Sequence, residues 1–370
     1  MPKPGDPINR ERLFRLFRDM VDIYSPSGRE EELAEFLEQH IRMHGLPLEL
    51  QPVDDTRRNL LISTGPAGSA DRLFLGHIDT VPAYDYESYG FAERDGDCHG
   101  LGTADMKSGC AAMIEAFISC HERSNLPDGT LLALVVGEEE SGDGTEALLN
   151  TYRFDHALVA EPTNLNPCLS HYGYVEMVVR AFGSRRHAAV SGRETNAIRA
   201  MLRLLLRIED RVEPHEPDTV LNIRNLHSSE SGFAVPDRCS ANIDFHLPPQ
   251  WSATAYATAM QAFVETHIRQ GGASRCEVEF PTCTDGFRIP DNGRLPCALR
   301  SIYADLQLEW HPMPFRSHSD ANLLRDAGCK ALMLGPGLLA KAHTRDESVP
   351  SAQVETAAQI YARLLTPSGA

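Results

Sequence analysis

The sequence has little positive charge for its size. Its 370 residues include 35 Lys and Arg against 52 Asp and Glu, which gives a formal net charge of −17. An acidic surface repels phosphate backbones and anionic lipid unless a local basic patch compensates. The basic run Arg185-Arg186-His187 is too short to form such a patch. We therefore expect no nucleic-acid partner and no membrane partner.

The sequence also lacks long apolar runs and paired cysteines. Runs such as Leu131–Val136 fall far short of the ~20 residues that span a bilayer, and residues 1–7 contain no apolar segment typical of a secretory signal. The nine cysteines are scattered, with no Cys-x-x-Cys pair. Their odd number and their spacing indicate reduced thiols, which argues against a disulfide framework or a zinc ribbon. We expect a cytoplasmic protein.

The length of the chain predicts two domains, because 370 residues exceed the ~250–300 at which one hydrophobic core stops growing. Residues 1–173 and 288–370 combine amphipathic helices with short, continuous apolar strands of the kind found in mixed, mostly parallel sheets. Residues 174–287 differ, because their strands alternate apolar and polar side chains. We therefore predict a discontinuous α/β domain interrupted by a smaller α+β domain.

The inserted segment is predicted to contain three strands and two helices. The strands are expected at Tyr174–Phe182, Cys239–Leu247 and Ser274–Phe280, and the helices at Thr195–Arg211 and Ser252–Arg269. This β-α-β-α-β series is long enough for an independent small domain.

Near the start of the chain, Ser27 is predicted to cap a helix that runs to about His44. Glu30, three residues further on, would be its capping-box partner.

His77 and Asp79 follow the apolar run Leu73–Leu75 and leave the predicted strand on the same side. In open α/β sheets, ligands bind at the carboxyl ends of the strands. A carboxylate that close can hold one ring nitrogen of His77, so that the other nitrogen faces a metal ion. The alternative is a loop histidine beside an unrelated aspartate.

Asp105 lies in the glycine-rich segment Gly100–Gly109, just before a predicted helix. The segment lacks the third glycine of a dinucleotide-binding turn and the Gly-Lys-Ser/Thr of a phosphate loop. Asp105 would instead direct its carboxylate into the cleft or cap the helix.

Three adjacent glutamates, Glu138, Glu139 and Glu140, follow another buried strand. Such a dense negative site is costly unless cations or partners neutralise it, although a solvated turn is the alternative. Adjacent glutamates also allow one to bind metal while its neighbour transfers protons. Glu161 and His343 each come just after a further apolar strand.

These segments resemble the metallopeptidase M20 family, and the resemblance covers nearly the whole chain. The motifs, in the family's order, are His77-x-Asp79-Thr-Val-Pro, Gly100-x-Gly102-x-x-Asp105-Met-Lys, Glu138-Glu139, Glu161-Pro-Thr and His343-Thr-x-Asp-Glu. The family includes acetylornithine deacetylase, succinyl-diaminopimelate desuccinylase, aminoacylase and carboxypeptidase G. Its members have a di-zinc domain interrupted by a lid that also dimerises. The resemblance therefore implies that residues 174–287 form a ferredoxin-like lid and that the protein is a homodimer.

The resemblance also implies a ligand set for two divalent ions. Asp105 would bridge them, His77 and Glu161 would complete one site, and Glu139 and His343 the other. Zinc fits these nitrogen and oxygen ligands, as do cobalt and manganese.

The same resemblance assigns the remaining catalytic roles. Glu138 would be the general acid/base for an activated water, and Asp79 would orient His77. His187, a lid histidine, would donate a hydrogen bond to the oxyanion in the neighbouring subunit's site. Family members have a further glycine at a fixed distance after the metal ligand, and Gly144 in that position makes Glu139 the ligand. A slip of one residue would instead make Glu139 the general acid/base and Glu140 the ligand.

Two arginines that some family members use for substrate carboxylates are absent here. His246 stands ten residues after Pro236, at the first of these positions, and Asn322 stands at the second. Arg288 and Arg316 could supply a replacement carboxylate clamp, or they could be surface residues. We include Asn322 with them as a candidate substrate-binding residue.

The sequence thus predicts a metal-dependent amidohydrolase that acts on an N-acyl amino acid, similar to acetylornithine deacetylase. A dipeptidase or aminopeptidase on the same scaffold is the alternative, and a catalytically silent metabolite-binding relative is a third. A serine hydrolase is disfavoured because the sequence has no Gly-x-Ser-x-Gly.

Overall fold

The computed structural model describes residues 8–65, 70–83, 89–190, 196–230 and 232–366. The α-helices, in chain order, are α1 (Arg10–Asp22), α2 (Glu31–Met43), α3 (Ser108–Glu122), α4 (Asp143–Thr151), α5 (Ala197–His215), α6 (Ala253–Gln270), α7 (Arg294–Asp305), α8 (Asp320–Asp326) and α9 (Ser351–Leu365).

The β-strands, in chain order, are β1 (Leu48–Pro52), β2 (Arg58–Thr64), β3 (Arg72–His77), β4 (Ala92–Arg94), β5 (Asp97–His99), β6 (Thr130–Val135), β7 (His156–Val159), β8 (Cys168–His171), β9 (Gly173–Phe182), β10 (Val220–Ser228), β11 (Arg238–Leu247), β12 (Arg275–Glu279), β13 (Cys283–Thr284), β14 (Phe287–Arg288), β15 (Met313–Phe315), β16 (Lys330–Met333) and β17 (Ser348–Pro350).

The chain divides into two compact units, each of which we describe separately. The first unit comprises Met1–Leu169, Ile289–Phe315 and Ser319–Ala370, and the second comprises Ser170–Arg288 and Arg316–His318. The boundaries predicted from the sequence, 174 and 287, lie slightly inside those of the second unit. The predicted insertion also omits the short Arg316–His318 segment.

The first unit is built on a mixed sheet in the order β1-β2-β6-β3-β7-β16. Strands β6, β3, β7 and β16 run parallel to one another, whereas β1 and β2 are antiparallel. Every residue of β6 is buried, as expected for a strand that is covered on both faces. The carboxyl ends of the four parallel strands therefore meet at one edge, which we call the carboxyl edge.

Helix α3 approaches this sheet closely and packs against α1 and α9. Its residues from Ser108 to Cys120 are all buried. Gly109 permits the approach, because an added Cβ at that position would lie 2.6 Å from the carbonyl oxygen of Ala160. The start of α3 is thereby held against the chain that leaves β7 at the carboxyl edge.

The second unit is a sheet in the order β10-β11-β9-β12, with β13 paired to β9. Its strands are antiparallel. Inward residues of β9 and β11 pack with the apolar faces of α5 and α6 in one core. The apolar–polar alternation of β9 thus buries one face against the helices.

The predicted mixed α/β class is confirmed, but the β-α-β-α-β prediction for the insertion lacks two strands, β10 and the two-residue β13. The observed series is β9-α5-β10-β11-α6-β12-β13. Strand β10 has no buried residue, so its hydrophobic pattern carried no strand signal. The predicted helix start, Thr195, lies outside the described residues, and α5 is observed from Ala197.

The predicted Ser27 cap is also wrong, because α2 begins after Glu30 and has no side-chain cap. No helix in the described ranges is both long enough and apolar enough to cross a membrane.

Candidate metal centre

Two groups of potential metal ligands meet at the carboxyl edge. The first comprises His77, Asp105 and Glu161, and the second comprises Asp105, Glu139 and His343. In each group, the candidate ligand atoms all lie within 4.8 Å of one another. The structure therefore brings together the five side chains that the sequence comparison had proposed as ligands.

Asp105 is shared by the two groups, and each of its oxygens faces a different histidine. Its Oδ1 lies 3.2 Å from Nε2 of His77, and its Oδ2 lies 3.5 Å from Nε2 of His343. Nε2 of His343 also lies 2.9 Å from Oε2 of Glu139. A carboxylate with this arrangement is suited to bridging two cations.

The loop that carries Asp105 is held by a carboxylate from the other end of the chain. Glu347 accepts hydrogen bonds from the backbone N–H groups of Gly102, Ala104 and Asp105, at 3.0, 2.8 and 3.0 Å. Gly102 has a φ of 78°, in the left-handed region that favours glycine. Glu347 ends the His343-Thr-x-Asp-Glu motif, but its supporting role could not be predicted from the sequence.

Asp79 fixes the loop that carries the glutamates. It is fully buried, and its carboxylate accepts the backbone N–H groups of Glu138 and Glu139 at 3.2 and 3.0 Å. The hydroxyl of Ser27 also donates to it, at 2.7 Å. The Nδ1 of His77 contacts the backbone oxygen of Asp79 at 3.1 Å. Asp79 thus connects His77 to the glutamate loop, and Ser27 is a supporting residue that sequence reasoning missed.

The three glutamates of the run have different environments. Glu139 lies in the second ligand group, while Oε2 of Glu138 lies 3.8 Å from Nε2 of His77. The side chains of Glu138 and Glu139 are 11% and 6% exposed, and Glu140 is exposed. This geometry favours the register that the sequence analysis preferred.

Burial dominates the electrostatics of the carboxyl groups. It raises the pKa of Glu138 and Glu161 well above the ordinary value, and neighbouring carboxylates add to the shift. The same cause raises the pKa of Glu139 and raises the pKa of Asp320, a buried neighbour, to about 7. These carboxyl groups lack enough positive charge around them to ionise together.

The histidines and Asp105 show the complementary shifts. Burial opposes a charged His77, but hydrogen bonds to Asp105 and Asp79 outweigh burial and hold the pKa of His77 well above its usual value. Burial opposes a charged His343 as well, but Glu139, Asp105 and Glu347 together outweigh burial and raise the pKa of His343 to about 9. His77 in turn lowers the pKa of Asp105 despite burial. Within the cluster, the two imidazoles therefore partly compensate the negative charge.

This donor set fits two divalent cations. Carboxylate oxygens and imidazole nitrogens are ligands that zinc, cobalt and manganese accept. Oε1 of Glu161 is buried and has no hydrogen-bond partner in the described part of the chain. An unpaired buried carboxylate oxygen is costly, and a cation would satisfy it.

Of the remaining predicted residues, three belong to the second unit and one, Asn322, supports a helix terminus. Arg288 is exposed on β14, and His187 is exposed in a loop of the second unit, where its Nδ1 accepts the N–H of Ala189. Arg316 donates to the Tyr172 hydroxyl at 3.3 Å. Asn322 is buried and closes the capping box of α8 with Ser319, so its side chain is engaged in holding a helix terminus.

Comparison with known proteins identifies the family. The model of peptidase family M20/M25/M40 matches residues 73–366. The chain therefore belongs to this family of amide-bond hydrolases, which agrees with the ligand groups at the carboxyl edge.

Individual relatives cover almost the whole chain. The chain is 24% identical to an acetylornithine deacetylase of Photorhabdus laumondii, over 95% of this chain and 96% of the relative. A tripeptidase structure from Staphylococcus aureus matches with a TM-score of 0.81 and 21% identity, covering 96% and 98% of the two chains. A dinuclear metal-binding M20 peptidase structure from Bacillus subtilis matches with a TM-score of 0.70 and 14% identity, covering 96% and 97%.

Proposed function

We propose that this protein is a metal-dependent amidohydrolase that removes the acyl group from an N-acyl amino acid. The observation that carries the proposal is the shared Asp105, which faces His77 with one oxygen and His343 with the other. The family membership supports amide hydrolysis, and the acetylornithine deacetylase among the relatives supports an N-acyl amino acid as substrate.

We propose that His77 and Glu161 hold one ion, that Glu139 and His343 hold the other, and that Asp105 binds both. Bound divalent ions, zinc being our first choice and cobalt or manganese the alternatives, would lower the pKa of a water and polarise the acyl carbonyl. The burial of Glu161 keeps bulk water from competing for this ligand.

Glu138 is proposed as the residue that moves the proton. Its carboxylate lies beside His77 at the cluster but belongs to neither ligand group. It would accept the proton of the attacking water and deliver it to the departing amine nitrogen. Burial raises the pKa of Glu138, which favours a carboxyl group that can both take up and release a proton near neutral pH.

Asp79 would act as a positioning residue. It holds His77 through its backbone oxygen and holds the N–H groups of Glu138 and Glu139 through its carboxylate. These contacts fix a ligand and the proton carrier relative to each other, as catalysis requires.

We further propose that the protein is a cytoplasmic homodimer that associates through the second unit, with residues 174–287 as the lid. Strand β10 has no fully buried residue, and it carries the exposed apolar side chains Val220 and Leu226. The nine cysteines are all unpaired, which supports a reducing compartment.

His187 would donate a hydrogen bond to the oxyanion, as the family resemblance implies. Its exposure leaves the ring accessible. His187→Ala should lower kcat without lowering metal content. Unchanged kcat would remove His187 from the mechanism.

The substrate class is tested by assaying the zinc-loaded protein on a panel of N-acetyl and N-succinyl amino acids beside dipeptides. We expect the highest kcat/KM for an N-acyl amino acid. Faster turnover of dipeptides would favour a dipeptidase instead, and no turnover of either class in metal-replete protein would contradict the proposal.

The catalytic assignment is tested by three matched substitutions in the glutamate run. Glu138→Gln should keep both ions while kcat falls by about 10²–10⁴, the usual contribution of a general acid/base. Glu139→Gln should lose metal, and Glu140→Gln should be nearly silent because Glu140 is exposed. An active Glu138→Gln beside an inactive, metal-replete Glu139→Gln would show that the roles are shifted by one residue.

A further inference from the structure

A second cavity lies in the first unit, at the edge of the sheet opposite the metal centre. Its volume is about 710 Å³, and its walls include the first residues of β3 and β7 together with parts of α7 and α9. Binding cavities for small molecules usually measure about 300–1,000 Å³. Since β3 runs from Arg72 to His77 at about 3.3 Å per residue, about 16 Å separate this cavity from the metal centre.

The cavity is basic, in contrast to the protein as a whole. Arg72, Arg294 and Arg363 line it, and Asp305 is the single carboxylate among the lining residues. The three arginines form no ion pair with a carboxylate in the part of the chain that the structure describes. In a protein with a net charge of −17, unpaired guanidinium groups that converge on one cavity indicate a site for an anion.

Two of these arginines are close enough to repel each other. Burial lowers the pKa of Arg72, and the positive charge of Arg294 lowers it further, although the negative charge of Asp71 opposes both. The pKa of His156, which also lines the cavity, is lowered by burial, Lys330 and Arg294 against the opposing charge of Asp155. An anion placed between Arg72 and Arg294 would relieve this repulsion, and two guanidinium groups match the geometry of a carboxylate or phosphate.

The start of α7 adds to the positive potential. Arg294 is the first residue of this helix, and the preceding cap, Gly293, has no side chain that could accept a hydrogen bond from the first turn. The backbone N–H groups at a helix N-terminus are left without intrahelical partners and attract anions. In the first three residues of α7, Arg294 and Leu295 supply such groups, whereas Pro296 has no N–H. The helix terminus and the arginines therefore act in the same direction.

The other walls are apolar. Leu295 and Ile302 of α7 line the cavity together with Leu73, Phe74 and Leu158 of the sheet. A bare inorganic anion would leave these walls in contact with water, whereas an organic ligand would cover them. The cavity thus combines a charged end with an apolar body.

We propose that this cavity binds a small organic anion, with its carboxylate or phosphate head between Arg72 and Arg294 and its apolar body along Leu295 and Ile302. The site is separate from the centre of hydrolysis, and its ligand is distinct from the substrate.

The test uses hexanoate, hexyl phosphate, inorganic phosphate and hexanol as probes of the metal-loaded protein, with calorimetric titration. At least one of the two organic anions should bind, and the tighter one identifies the head group. Hexanol and inorganic phosphate should bind much more weakly than that anion. If inorganic phosphate bound as tightly as the organic anion, the proposed contact of an apolar body with the cavity walls would be wrong.

Three arginine variants locate the binding. Arg294→Gln and Arg72→Gln should each weaken the organic anion by about tenfold or more. Arg203→Gln removes one charge from an exposed position on α5 and should leave binding unchanged. Arg294 is itself exposed, so Arg294→Gln should unfold at the wild-type temperature. The affinity of this variant for the organic anion therefore tests the site even if Arg72→Gln is unstable.

A kinetic measurement separates this site from the metal centre. As the concentration of the organic anion increases, the KM for substrate should not rise in proportion to it. Full affinity in both arginine variants, purely competitive inhibition, or no binding of either organic anion would overturn the proposal.

Discussion

The two ligand groups that share Asp105 differ in their exposure to water. The His77 group is buried throughout, with His77 only 1% exposed. The His343 group opens to solvent, since the side chain of His343 is 47% exposed and its residue has a positive φ of 58° in a loop. The same kinds of ligand therefore form one enclosed half and one open half.

This difference indicates how the centre would be assembled. In the enclosed half, His77 is already hydrogen-bonded to Asp79 and Asp105, so its orientation is set without an ion. In the open half, His343 is exposed and can exchange between water and Glu139. We infer that the enclosed half is the more preorganised one and that the open half exchanges ions and admits substrate.

The largest effect is expected from Asp105→Asn, because this substitution removes the proposed ligand that the enclosed and open halves share. Both ions should be lost, and activity should fall to the level of the metal-free protein, because a neutral amide is a poor bridging ligand. Metal analysis beside kinetics checks this. Retention of one full equivalent of metal would show that Asp105 serves one half only.

The next effect contrasts His77→Asn with His343→Asn in the metal-free protein. His77→Asn breaks a buried hydrogen-bonded network and should lower the free energy of unfolding by about 2–3 kcal/mol. His343→Asn removes an ion pair with Glu139 from a half-exposed residue, and Asn tolerates a positive φ, so the loss should be smaller, about 0–1 kcal/mol. Denaturant unfolding measures both. Equal losses of unfolding free energy in the two variants would contradict the distinction between an enclosed and an open half.

Graded chelation should sharpen the same comparison. We expect two steps in metal release, with the open half losing its ion first, because partners that orient a ligand raise metal affinity by about 10–100-fold. Mass spectrometry of the native protein would count the ions at each chelator concentration. His343→Asn should show only the later step. Simultaneous loss of both ions would refute the difference in affinity.

The smallest effect is expected from Asp143→Asn, which acts behind the glutamate loop. Asp143 forms an ion pair with Arg57, and an added Cβ at Gly137 would collide with the Asp143 carboxylate. Because the pair is partly exposed, its loss should cost about 0–1 kcal/mol and reduce kcat only a few-fold. Thermal unfolding and kinetics check this, with Glu140→Gln as the control.

Three of the candidate ligand positions could be predicted because each one follows an apolar strand. Runs such as Leu73–Leu75 predict a buried strand. The parallel pairing of β3, β6 and β7 then brings the carboxyl ends of these strands together. Local sequence and sheet geometry therefore agree at His77, Glu139 and Glu161.

The supporting contacts could not be predicted, because they join distant parts of the chain. Ser27 has the local pattern of a helix cap, yet its hydroxyl donates to Asp79, 52 residues away. Glu347 accepts from the Asp105 loop across 242 residues. Side-chain patterns near Ser27 or Glu347 contain no information about these partners. Strand β10 was not predicted for a different reason. The alternation of apolar and polar residues that predicts a strand depends on burial of one face, and β10 has no buried residue.

The parallel pairing of β7 with β16 has a consequence for synthesis on the ribosome. Strand β7 ends at Val159, and β16 begins only at Lys330, a delay of about 10–35 s at the ~5–20 residues per second of translation. During this interval, the nascent first unit has a sheet edge without its neighbour, while all of Ser170–Arg288 emerges and can fold. An unpaired edge is a template for association between chains. His343 and Glu347 emerge later still, so the candidate metal centre cannot be complete until the chain has been synthesised beyond these residues.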